Sequence, residues 1–112
     1  MPSVKYVLTV TVLTLAATLA HANEMHNILT GFSLEKRNGA LGTILTRSGE
    51  ACTVTRSFFQ GFDKQQNAFW SVSCTSGKDF SMMLYNDTGG TVTLTDCKVL
   101  RALAKHDCFK KL

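Results

Sequence analysis

The stretch "AFWSVSCTSGKDFSMMLYNDTGG", residues 68–90, decides the fold class. It reads as two strands parted by Ser76-Gly77 and closed by Thr88-Gly89-Gly90. Alternate residues of a strand share a face, so the pattern sorts itself. Trp70, Val72 and Cys74 fall on one side of the first strand, and Phe80, Met82 and Leu84 on one side of the second. A three-residue turn over 76–78 sets Cys74 against Phe80, Val72 against Met82 and Trp70 against Leu84. The opposite face is richer in serine. This is the signature of an antiparallel hairpin with one apolar side.

Working outward, further turn signals stand at Asn38-Gly39 and Ser48-Gly49. With them the pattern predicts strands near 32–37, 40–47, 50–59, 68–75, 79–86 and 91–96. A tight turn at Asn38-Gly39 places Phe32 opposite Leu45. One at Ser48-Gly49 places Leu45 opposite Cys52 and Thr43 opposite Val54, with Arg47 and Glu50 as an opposite-charge pair beside the turn. If Cys52 then meets Cys74, Val54 meets Val72 and Arg56 meets Trp70. The apolar face gains Phe32, Leu34, Leu45, Cys52 and Val54. Residues 60–67 fit no tight turn and are expected as a longer loop. Asn23 to Phe32 forms either a short helix or a loose segment, with Ile28 and Leu29 arguing for some docking.

The period changes at "DCKVLRALAKHDCFKKL", residues 96–112. Asp96 can cap a helix whose Val99, Leu100 and Leu103 make one apolar stripe. This helix is expected to cover the apolar sheet face. The fold class is therefore α+β: an antiparallel meander of four to six strands, a C-terminal helix packed on one face, and disulfide staples.

The first residues read differently. Lys5 supplies a basic start, Tyr6 to Leu19 an apolar stretch, and "AHA" at residues 20–22 the small residues read by a signal peptidase. Residues 1–22 are expected to be a secretory signal peptide cut after Ala22. The apolar stretch falls short of the ~20 residues of a span. No cysteine adjoins the cut, so a lipid anchor is not expected. What remains of the 112 residues is a single small α+β domain over 23–112. A chain this short buries too little surface to be very stable unaided.

All four cysteines, Cys52, Cys74, Cys97 and Cys108, lie in that remainder. An exported chain with an even count reads as oxidised. Four cysteines allow three pairings. Cys52–Cys74 with Cys97–Cys108 is favoured, although eleven residues of continuous helix would hold Cys97 and Cys108 about 16 Å apart. That pairing needs a short helix and a chain that turns back at 105–107. Cys74–Cys97 with Cys52–Cys108 is the alternative.

Thiol chemistry has little support. There is no Cys-x-x-Cys for redox work and no Cys-x-x-Cys-His for haem. Zinc would have to rely on His106 and Cys108 with distant Cys97. Copper would need Met25-His26 to converge with Met82-Met83, which point to opposite faces. Two histidines, His26 and His106, could form an acid–base pair, but no spacing supports it. No cofactor, metal ligand or catalytic residue is assigned.

Eleven cations against eight acids in residues 23–112 form no dense stripe of the kind nucleic acid needs. Neither nucleic acid nor, once the leader is gone, a membrane is expected as partner. Asn86-Asp87-Thr88 is a glycosylation sequon but reads more simply as a turn. "CTSGKDFSMMLYNDTGGTVTL" resembles, over about one hairpin, the Cys-x-x-Gly strand pair of small periplasmic lysozyme inhibitors. The rest of that barrel pattern is missing, and no residue role follows from the resemblance.

Aromatic residues supply the functional clue. Phe58, Phe59 and Phe62 gather with Phe69 and Trp70 around the 60–67 loop. Long ordered loops on a rigid sheet concentrate function, and aromatics anchor interfaces. Phe59 and Phe62 are the candidate partner-binding residues. The expected function is a small exported, non-enzymatic binding or accessory protein acting through protein contacts, in a bacterial periplasm or outside the cell. Alternatives are a protein inhibitor of a secreted or periplasmic hydrolase and a small nuclease-like enzyme.

Overall fold

The computed structural model describes residues 23–112, and the leader read at residues 1–22 lies outside the described residues. Helices α1 (Glu24–Thr30) and α2 (Leu34–Arg47) precede four strands, β1 (Val54–Phe62), β2 (Ala68–Cys74), β3 (Asp79–Leu84) and β4 (Val92–Asp96). Helix α3 (Cys97–Ala104) follows. The strands form one antiparallel sheet in the order β1-β2-β3-β4.

The largest correction concerns residues 32–47. The two strands and the Asn38-Gly39 hairpin do not exist; one helix, α2, runs through both. Leu41, Thr43 and Leu45 alternate as a strand would, but Ala40, Leu41, Ile44 and Leu45 also recur at helical spacing. The helical reading is the one that can be closed at both ends. The Ser33 side chain accepts the Lys36 N–H, Glu35 sits in the first turn and Arg47 in the last. Gly49, at φ 93°, then ends the helix. Its N–H donates to the Thr46 carbonyl, and the next N–H, of Glu50, to that of Leu45. Ser48-Gly49 is thus a helix terminus, not a hairpin.

Gly39 and Gly42 lie inside α2, with opposite surroundings. A Cβ on Gly39 would meet nothing within 4 Å, whereas one on Gly42 would sit 3.1 Å from the Cys52 carbonyl oxygen. Gly39→Ala is therefore expected to stabilise the fold by roughly 0.5–1 kcal/mol, the helix-propensity difference. Gly42→Ala is expected to lose stability, because the disulfide-held Cys52 has little room to move. Denaturant midpoints of the two variants check both signs. In a hairpin turn, Gly39→Ala would instead destabilise.

The sheet face that carries Trp70, Val72, Cys74, Phe80, Met82 and Leu84 is the core face, covered by Leu29 of α1 and Leu41 and Leu45 of α2. The C-terminal helix was expected there and is on the other face. Leu100 of α3 lines a small depression with Phe69, Ser81, Met83, Thr93 and Thr95. The helix at 34–47 had already filled the apolar side. Leu34, expected in the core, is exposed.

Between β2 and β3 the faces are as read, but the register slides by two: Trp70 pairs with Met82 and Val72 with Phe80. The turn closes one residue earlier, with the Cys74 N–H donating to the Lys78 carbonyl at 2.8 Å. A slip of two keeps every side chain on its face. In β1 an irregularity between Val54 and Arg56 adds one residue. It turns Arg56 outward over the Phe109 ring, at 3.9 Å, and brings Ser57 inward to Asn38 of α2. The expected Arg56–Trp70 pair is replaced by Phe59–Trp70.

Two disulfides close the described fold, Cys52–Cys74 and Cys97–Cys108, with Cα atoms 5.2 and 5.9 Å apart. The second is reached as geometry demands. Helix α3 stops after eight residues, and Lys105 turns the chain in the left-handed region at φ 51°.

Candidate functional site

Of residues 60–67, expected as a loop, the first three continue β1 and only 63–67 turn. A second irregularity, between Phe59 and Gly61, decides what this end of the sheet displays. Phe59 pairs with Trp70 on the helix-covered face; Gly61 pairs with Phe69, and Phe62 with Ala68. The extra residue, Gln60, is sent to the far face. Phe59 and Phe62, three apart, therefore stand side by side, ring centroids 5.1 Å apart and nearly perpendicular. Gly61 has φ 142°, which favours glycine, and leaves room for Leu112 3.5 Å from where its Cβ would be.

His26 of α1 enters this cluster from above. Its ring lies 4.5 Å from Phe59, 4.7 Å from Phe62 and 5.7 Å from Trp70. The Trp70 Nε1–H donates to His26 Nδ1 at 3.0 Å, so that nitrogen carries no proton. His26 and Trp70 are buried and Phe59 is half-buried, but Phe62 keeps 41 % of its surface open. Cations rim the cluster. Arg37 lies over Trp70 and donates to the carbonyls of Leu29 and Phe32. Lys111 lies over Phe59 and donates to its carbonyl at 2.7 Å.

The adjoining turn is rigid. Asp63 accepts the N–H groups of Gln65 and Asn67 and the Asn67 side-chain amide, each at 2.9 Å. Burial pushes its carboxyl up, but these hydrogen bonds outweigh that and hold it below the ordinary aspartate range. Asn23, at the head of α1, donates from its side chain to the Gln66 and Leu84 carbonyls, so helix, turn and sheet are tied together.

Burial, then the Arg37 charge, push the His26 pKa below its ordinary value. The sign of the consequence follows. As pH falls through the unfolded value of about 6.5, the unfolded chain takes a proton that the native His26 resists. Stability present at pH 7 is lost towards pH 5, and protonation of Nδ1 would also break the Trp70 bond. Thermal unfolding is expected to show this loss in the native protein and a smaller one in His26→Gln.

Sequence reasoning missed the polar anchor on the far face. Gln60 is 2 % exposed. Its Nε2 donates to the Asp107 and Lys110 carbonyls and meets His106 Nε2 at 3.0 Å, while its Oε1 accepts from Ser81. Ser71 donates to the Cys108 carbonyl beside it. The only signal was a glutamine between Phe59 and Phe62 in what reads as the start of a loop, which has no rule attached to it. His26 and His106 thus lie on opposite faces, and the structure does not bring them together. Cys97 and Cys108 are bonded to each other, and Met82 and Met83 point apart. Among the described residues, no three His, Cys, Asp or Glu side chains converge as a metal ion would require. A depression of about 610 Å³ lies elsewhere, between α2 and the start of β1, and holds none of the predicted partner-binding residues. No known protein family, curated protein or solved structure matches the chain.

Proposed function

We propose that this protein is a small exported binding module that acts through protein contacts, with Phe62 as anchor and Phe59 as its support. One observation carries the reading: a large ring left open at the edge of a packed aromatic cluster, on a strand end that two backbone irregularities and a hydrogen-bonded turn hold in place. A rigid exposed aromatic loses little entropy on binding and offers a large contact. The Lys111 and Arg37 groups beside it would set orientation and repel cationic surfaces. Export rests on the leader pattern at residues 1–22, and the two disulfides suit an oxidising compartment such as a periplasm or the cell exterior. No described helix is long and apolar enough to cross a membrane.

Phe62→Ala tests it. The ring is half outside, so the melting temperature is expected to fall by less than about 8 °C. Retention of a partner from a periplasmic extract is expected to weaken at least about tenfold, roughly 1.4 kcal/mol. A steep loss of stability with unchanged capture would make Phe62 a core residue and end the proposal. A captured hydrolase whose activity the protein lowers would make the same surface an inhibitor's.

A further inference from the structure

The C-terminal segment has two properties that the fold uses only in part, Lys111 being held at Phe59. Residues 97–112 hold five of the eleven cations of residues 23–112 (Lys98, Arg101, Lys105, Lys110 and Lys111) and one of the eight acids, Asp107. The remaining residues, 23–96, carry six cations and seven acids. The positive charge is therefore concentrated at one end. The same segment also exposes apolar surface. In α3, Leu100 turns to the sheet, but Val99 is 46 % and Leu103 83 % exposed. Four residues apart, these two project from one flank of the helix. Lys98, Arg101 and Lys105 are exposed on the same short element. The Cys97–Cys108 bridge ties its first residue to the chain four residues past its last, so the helix is presented on a closed loop.

We propose that α3 is a docking element for an anionic lipid surface. Apolar side chains beside lysine and arginine on a helix lying flat match the boundary of a bilayer, with Leu103 and Val99 entering the headgroup layer and the cations meeting lipid phosphates. Charge complementarity selects this occupant. A second copy would bring like charges together around Leu103. A neutral apolar partner would leave the cations unused. The element is too short to span and does not need to: binding is peripheral and reversible. It lies on the sheet face opposite the aromatic cluster, so a docked molecule keeps Phe62 open.

The test uses the exported protein, its N-terminus checked by intact mass. It is sedimented with vesicles of phosphatidylcholine alone or with about 30 % phosphatidylglycerol. Binding is expected only with the anionic vesicles, and is expected to be released by about 0.5 M salt. Arg101→Gln or Lys105→Gln should each weaken it about fivefold, the effect of one cation near such a surface. Leu103→Ser should weaken it about tenfold with little change in melting temperature, since Leu103 is 83 % exposed. Equal binding to neutral vesicles, or none to anionic ones, overturns the proposal. So does self-association that Leu103→Ser abolishes, which would make the stripe an interface between copies. Capture of an acidic protein through Leu103 with no vesicle binding overturns it equally.

Discussion

Replacing Cys52 and Cys74 together with alanine is expected to cost the fold about 2–5 kcal/mol, the usual range for a small secreted domain. The bridge joins residues 22 apart, for which the chain-entropy model gives about 3 kcal/mol. Its position adds to this. Cys52 lies between α2 and β1, with its carbonyl against Gly42, and Cys74 ends β2 in the core. The bridge therefore sets where α2 rests on the sheet. With total stability on the order of 5–15 kcal/mol for a natural domain, the loss is a large share. Urea unfolding of the double variant checks it. A lower midpoint with a somewhat steeper slope is expected, since the unfolded chain without the cross-link is less compact and exposes more surface.

Trp70→Ala is expected to cost about 3–5 kcal/mol, as large aromatic truncations in cores do. Trp70 is 3 % exposed and packs against Phe59 and His26. Its removal leaves a void under α1 and deprives His26 Nδ1 of its donor. Trp70→Phe separates the two effects. It keeps a six-membered ring and loses the N–H together with part of the indole, so a smaller cost is expected than for alanine, of which on the order of 1–3 kcal/mol belongs to the buried unsatisfied acceptor. Thermal unfolding of both variants provides the comparison.

The parts of the fold legible in the sequence are those with one consistent period. Residues 68–84 alternate without interruption, and their two faces are as read even though the register moved by two. The C-terminal helix followed from the cap at Asp96 and the apolar stripe, and its early stop only as a condition of the favoured Cys97–Cys108 pairing. Residues 32–47 were misread because Leu41 and Leu45 fit both periods, and Asn38-Gly39 reads as a turn when the Ser33 cap is not weighed. Tertiary packing settled it: a sheet with one long apolar face needs a long apolar helix, and α3 is too short to supply it. The β1 irregularities were not legible, since an extra residue leaves no mark in composition. Yet they decide the candidate site, bringing Phe59 and Phe62 to one face and sending Gln60 to the other. Of the five aromatics grouped from the sequence, Phe59, Phe62 and Trp70 form the cluster, whereas Phe58 meets Phe109 and Phe69 lies with Met83 on the other face; His26 as the fourth ring was not legible, because α1 reaches it only through the fold.

The most direct test of Phe62 as the anchor of an interface is photocrosslinking in the cell that makes the protein. A photoreactive phenylalanine analogue is placed at position 62 and, as control, at Lys78, which is exposed in the turn at the other end of β2 and β3. Illumination is expected to give one discrete covalent adduct at position 62 and none at 78. No adduct at 62, or the same adducts from both positions, would contradict the account.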